Sequence, residues 1–286
     1  MELLIYLILF LLVLIVSSTT NKLLPFLPLP LVQILLGIVI GLFLPNTDFH
    51  LNTELFLALV IGPLLFRESE EADITAILKH WRIIVYLIFP VIFISTLSLG
   101  GLAHLLWLSL PLAACLAVGA ALGPTDLVAF ASLSERFSFP KRVSNILKGE
   151  GLLNDASGLV AFQVALAAWT TGAFSLGQAG SSLIFSILGG FLIGFLTAMT
   201  NRFLHSFLLS VRATDIASEL LLELSLPLVT FFLAEEVHVS GIIAVVVAGI
   251  LKASRFKKIT LLEAQVDTVT ETVWHTVTFM LNGSVF

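Results

Sequence analysis

The sequence predicts an all-α, polytopic membrane protein, and three observations carry that expectation. Of the 286 residues, 58% are hydrophobic and only 12% are charged, about half the charge of an ordinary soluble domain, and the mean hydropathy is +1.08. Apolar runs of the length that a helix needs to cross a bilayer core, roughly 17 to 25 residues, recur along the whole chain. Finally, the 14 Lys and Arg residues all fall in alternate connections between those runs. The chain reads as a single transmembrane domain over 1–286, with no linker, soluble domain or repeat evident by eye.

The first apolar run, 3–20, follows Glu2 rather than a basic residue and leads to no small-x-small cleavage site. It is therefore expected to be a retained span and not a signal peptide. Further spans are expected near 29–45, 54–66, 82–105, 109–133, 144–171, 178–200, 216–237 and 239–252. The third and ninth are short, as helices lying beside other helices can be. A tenth begins near Glu271 and is still running at Phe286, which predicts a chain truncated at its carboxyl end.

Charge tests that count independently. Lys22 lies in the first connection, and Arg67, Lys79 and Arg82 lie in the third. Arg136, Lys141, Arg142 and Lys148 belong to the fifth, Arg202 and Arg212 to the seventh. The ninth holds Lys252, Arg255, Lys257 and Lys258, and the even-numbered connections hold none. Basic residues stay on the cytoplasmic side. The amino terminus is thus expected outside and Lys257 inside, in a multi-pass protein of the cell membrane. One miscounted span would destroy the alternation.

Several classes are excluded. No basic cluster is interleaved with aromatics, which argues against nucleic acid as a partner. The lone Cys115 can form no internal disulfide. His50, His80, His205, His238 and His275 are scattered without metal-ligand spacing, and no nucleotide loop, G-x-S-x-G or CxxC occurs. No cofactor is expected.

Ionisable groups inside spans are costly and mark pathways or sites. The first such place is Gly123-Pro124-Thr125-Asp126, in the middle of the fifth span. Proline removes a backbone donor and collides with the carbonyl of Ala120. The helix should therefore break and restart, with Asp126 complementing the new helix start and the upstream carbonyls free for a cation. A plain proline kink with a capping Asp is the alternative.

The second place is Glu150-Gly151-Leu152-Leu153-Asn154-Asp155. Gly151, Asn154, Asp155 and Gly158 fall at i, i+3, i+4 and i+7, one small polar stripe on an apolar helix. Such a stripe must face the protein interior or water, where a carboxylate can hold a cation or a proton in turn. A purely structural buried Asp is the alternative there. For Glu150 the choice is between a ligand and a buried ion pair. The third place, Glu235-Glu236 at the outer end of the eighth span, is either solvated or part of an outer vestibule. Gly190-x-x-x-Gly194 reads as a close-packing motif between helices.

At these residues the sequence resembles the Na+/H+ exchanger, NhaP- and NHE-like, branch of the monovalent cation:proton antiporters. The resemblance covers nearly the whole chain: LVQILLGIVIG from Leu31, LFLALVIGPLLF from Leu55, GPTDLVAFASL from Gly123, PKRVSNILKGEGLLNDASGLVAF from Pro140, LAEEVHVSGIIAVVVAG from Leu233 and FMLNGSVF from Phe279. It implies an inverted-repeat antiporter fold with a broken helix, about ten spans present of about thirteen, and a homodimer in the lipid bilayer. It implies that Asp155 holds Na+ and H+ alternately beside the neutral Asn154. Thr125 would offer an oxygen to the metal ion at the unwound crossing, while Asp126 balances the helix ends. Glu150 would pair with an arginine of a later span. Leu127 stands where the family often has proline. Because Arg67 precedes Glu68 after the third span, no ligand role passes to either.

The resemblance implies a transporter and not an enzyme, exchanging Na+ or another monovalent cation for H+. With one titrating carboxylate exchanging one ion for one proton, the cycle should move no net charge. Two other readings stand beside it: a truncated fragment that transports nothing, and a membrane-embedded aspartyl enzyme using Asp126 and Asp155. The flanking Asn154 and the half-helix break favour ion binding over the enzyme.

Overall fold

The structure, a computed structural model, describes residues 2–24, 29–43, 52–124, 139–171, 176–211, 215–253 and 261–285. Every regular element among them is helical: α1 (Glu2–Leu23), α2 (Leu29–Phe43), α3 (Thr53–Phe56), a π turn (Leu57–Ile61), α4 (Gly62–Glu71), α5 (Ile74–Leu106), α6 (Leu112–Ala121), α7 (Lys141–Thr171), α8 (Leu176–Ser210), α9 (Ile216–Glu236), α10 (Gly241–Ala253) and α11 (Leu261–Val285). With α3, the π turn and α4 counted as one continuous helix, each expected span has its helix. Among the described residues, Lys79–Leu106, Ile184–Ser210 and Ile216–Glu236 are long and apolar enough to cross a membrane.

Several helices overrun the apolar runs that announced them. The fourth begins at Ile74, the seventh continues to Ser210 and the tenth starts at Leu261, ten residues before Glu271. Hydropathy detects only the apolar stretch, whereas backbone hydrogen bonding carries a helix on through its polar ends. Local signals set other boundaries. Asp215 starts α9 by accepting from the Ser218 amide at 2.9 Å. Hydrogen bonds from the Ser218 side chain and backbone hold its carboxyl below the usual carboxylate range. His238, between α9 and α10, takes a left-handed φ of 57° that closes the last turn of α9, with its amide donating to the Glu235 carbonyl.

Two compact units organise the contacts. One comprises 1–64, 207–228 and 257–286, and the other 65–206 and 229–256. In the second, Ile84, Ile88 and Ile92 of α5 form a buried ridge against Ile146 and Ala161 of α7. The opposite face of α5 exposes Tyr86, Phe93 and Ile94, apolar surface of a kind that suits lipid. Helices α5 and α6 meet through glycines, since a Cβ added to Gly119 would lie 2.5 Å from the Thr96 carbonyl oxygen and 2.6 Å from the Gly100 nitrogen. The Gly190-x-x-x-Gly194 motif does pack: side chains added there would strike Ser240, just before α10, and Ile243 and Ala244 within it.

Packing partners preserve the alternation read from the basic residues. Along α8, positions 189, 190 and 194 meet 239 and 240, just before α10, and 244 within it, in rising order, so these odd-numbered spans run in the same sense. Positions 100 and 119 pair α5 with α6, and 95 with 123, in opposite senses. Helix α4 meets α10 at Phe66 and Ser69 against Gly249, and then through charge. Lys252 Nζ lies 3.0 Å from Glu70 Oε1 and 5.5 Å from the Phe66 ring centre, while Arg67 reaches Glu70 Oε2 at 3.1 Å and Glu71 at 2.6 Å. The third and ninth connections therefore meet at one place.

Glu70 and Lys252 are each 16% exposed, so their attraction is poorly screened. Replacing Glu70 by Gln leaves Arg67 and Lys252 without its charge. The expected cost is roughly 1–3 kcal/mol, read as a lower thermal midpoint of the purified protein in detergent. An unchanged midpoint would show that the pair contributes nothing.

Candidate functional site

The site is built where α6 ends against the middle of α7. Helix α6 stops at Ala121, and Leu122 closes its last turn by donating a hydrogen bond from its backbone N–H to the Val118 carbonyl at 3.1 Å. Gly123 and Pro124 are no longer helical. The expected interruption is thus present on its upstream side. Thr125 and Asp126, and the expected restart, lie outside the described residues. The last carbonyls of a helix have no intrahelical partner, and oxygens of that kind suit a hard monovalent cation.

Across from this end runs the small stripe of α7. Gly151 and Gly158 are buried, Asn154 is completely buried and Glu150 is 6% exposed. Gly151, Asn154 and Gly158 of the stripe therefore face the interior, as their spacing predicts. A Cβ on Gly158 would run into Pro124 Cγ and would sit 3.5 Å from the Ala120 carbonyl oxygen. Glycine at 158 is what lets α7 touch the end of α6. Asp155 follows Asn154 within α7; its side chain lies outside the described residues.

On the other flank stands α5. The Ser95 hydroxyl, donating to the Ile92 carbonyl at 3.1 Å, would be 2.7 Å from a Cβ on Gly123. Beside it the buried Thr96 hydroxyl has no hydrogen-bond partner. Sequence reasoning missed both, because single hydroxyls in an apolar span look like ordinary helix residues bonding their own backbone.

The third place resolves differently. Glu235 and Glu236 are exposed, and Glu235 accepts from the Gly241 amide at 3.3 Å, placing a negative charge at the start of α10. This is a helix-terminus role. Arg67, given no role from the sequence, belongs to the Glu70–Glu71 ion-pair cluster. Among the described residues no three His, Cys, Asp or Glu side chains cluster as metal ligands.

A polar interior stripe packed against an interrupted helix, inside a bundle of apolar helices, describes a membrane transport protein. The sodium/hydrogen exchanger transmembrane family model matches residues 7–286, and the chain belongs to that family of transporters. It is 39% identical over 271 residues to the sodium, potassium, lithium and rubidium/H+ antiporter of Bacillus subtilis, covering 95% of this chain and 40% of that protein. The corresponding antiporter of Bacillus pumilus is 38% identical over 280 residues, covering 98% of this chain and 42% of that one. The chain thus spans about two fifths of the length of these relatives. Its fold is similar to that of the sodium proton antiporter MjNhaP1 from Methanocaldococcus jannaschii, with a TM-score of 0.70 at 20% identity over 99% of this chain and 71% of that one.

Proposed function

We propose that the protein exchanges a monovalent cation for H+ across the cell membrane by alternating access, with Asp155 as the group both ions share. One observation supports this above the others. Asn154, wholly buried, shares its helix face with two buried glycines, and one of these lies against the point where α6 gives way. A carboxylate next along that helix would have free helix-end oxygens in reach, and a cation and a proton would compete for it.

Thr125 and Asp126, just beyond Pro124, supply an oxygen ligand and a balancing charge at the same crossing. Glu150 supports the site from its buried position one turn earlier. The cation is Na+ or another monovalent cation, with potassium, lithium and rubidium among those that the names of the Bacillus relatives suggest. The amino terminus lies outside, and two copies form a homodimer.

One carboxylate trading one cation for one proton transfers no charge, whereas each net charge crossing 100 mV is worth about 2.3 kcal/mol. Exchange should therefore ignore voltage. Vesicles carrying the protein, loaded with acid and then given external Na+, should alkalinise inside at a rate unaffected by an imposed potential of either sign. A rate that follows the potential overturns electroneutrality. Proton movement indifferent to Na+, K+ and Li+ alike overturns exchange itself.

A further inference from the structure

The first two turns of helix α9 carry two carboxylates, Glu219 and Glu223, that the exchange site does not use. Glu219 is 9% exposed, and Glu223, one turn on, accepts a hydrogen bond from Trp274 Nε1 of α11 at 3.2 Å. An indole N–H can only donate, so Glu223 is fixed as the acceptor. Trp274 is 1% exposed and Thr270, one turn before it, is 5% exposed. Exposed residues at 271, 272, 275 and 276 flank that pair, so 270 and 274 mark the inward stripe of α11.

Both helices follow odd-numbered connections and run in the same sense. Stepping back one turn from the Glu223–Trp274 bond therefore brings Glu219 and Thr270 to the same level. The Thr270 hydroxyl has no hydrogen-bond partner, and a hydroxyl buried this deeply without one is destabilising. Acidic side chains within a span already mark sites. An unsatisfied hydroxyl at the level of a buried carboxylate, one turn from the Glu223–Trp274 bond, suits a small cation that carboxylate and hydroxyl oxygens can ligate.

We infer that Glu219, Glu223 and Thr270 form a second monovalent-cation site, separate from Asn154 and Asp155 and placed at the end of α9 that adjoins the basic connections. Its ligands are hard oxygens of the type alkali cations prefer. Trp274 forms its wall and holds Glu223 in place. The inference does not rest on Asp155 binding anything.

Trp274 is also the reporter. With Trp81, Trp107 and Trp169 changed to Phe, it is the sole indole, the chain having four Trp in all; adding Asp155→Asn silences the exchange site. The purified protein is titrated with NaCl and with KCl against choline chloride at constant pH and ionic strength. Trp274 emission should change saturably with Na+ or K+ and not with choline. The midpoint should weaken about tenfold on Glu219→Gln or Thr270→Val, and Thr270→Ser should restore it. Emission that responds equally to choline overturns the site. So does a Thr270→Val protein titrating like its parent, a variant similar enough in shape to decide the matter if Glu219→Gln does not fold. Loss of the signal in the Asp155→Asn background alone would assign the cation to the first site and refute the second.

Discussion

Asp155→Asn is expected to reduce cation-driven proton movement to the rate of protein-free vesicles. Asparagine keeps the size and polarity of the side chain, so α7 should pack as before. What is lost is the ability to lose and regain a proton, and with it the negative charge that offsets a cation's cost of entering a low-dielectric interior. The neighbouring Asn154 cannot substitute, since an amide does not titrate. Glu236→Gln, an exposed change at the end of α9, should leave the rate unaltered and serves as the control. The measurement is the Na+-dependent decay of a preset pH gradient in reconstituted vesicles. Exchange persisting in Asp155→Asn at the parent rate would remove the central carboxylate from the mechanism.

Much of the architecture was legible because a bilayer imposes two simple rules, on length and on charge. Those rules placed α1, α2, α7 and α10 closely, and the directions of α5 against α6 and of α8 against α10 agree with the sorting of basic residues. They failed where polar sequence stays helical. The stretch from Leu261 to Glu271 carries Glu263, Gln265, Asp267 and Thr270, so no apolar run announced the beginning of α11. In the site, spacing alone aligned Gly151, Asn154 and Gly158 on one face, because a 3.6-residue period is a property of the local chain.

What lies across a contact was not legible. Glu70 and Lys252 are far apart in sequence, and nothing local to either announces the other. Glu219 and Glu223 are four residues apart in a span and were open to the same helical reasoning that found Asn154. They went unmarked because a glutamate near the end of a span usually reaches water, and only the burial of Glu219, Thr270 and Trp274 shows otherwise. The same limit applied to Glu235, whose partner is an amide that exists as a free donor only once α10 has begun.

The second large effect concerns the contact that holds α5 against α6. Gly119→Ala should destabilise the protein by about 3 kcal/mol or more, at the upper end for overpacking. The added methyl would meet the Thr96 carbonyl oxygen at 2.5 Å, the Gly100 nitrogen at 2.6 Å and the Gly100 Cα at 3.0 Å. All three are backbone atoms, which cannot turn aside as a side chain can, so the helices must separate. Gly101 provides the comparison, because a methyl there meets nothing within 4 Å. Gly101→Ala should be neutral or stabilising by up to about 1 kcal/mol, the helix propensity difference between the two residues. Thermal midpoints in detergent read both. Since α6 ends at the candidate site, the separation forced by Gly119→Ala should also displace Gly123 and Pro124 from Ser95 and Gly158. Exchange at temperatures below the midpoint should then fall as well. Equal midpoints for the two alanine variants would show that α5 and α6 are not in glycine-mediated contact, and the placement of the interrupted helix against α7 would lose its support.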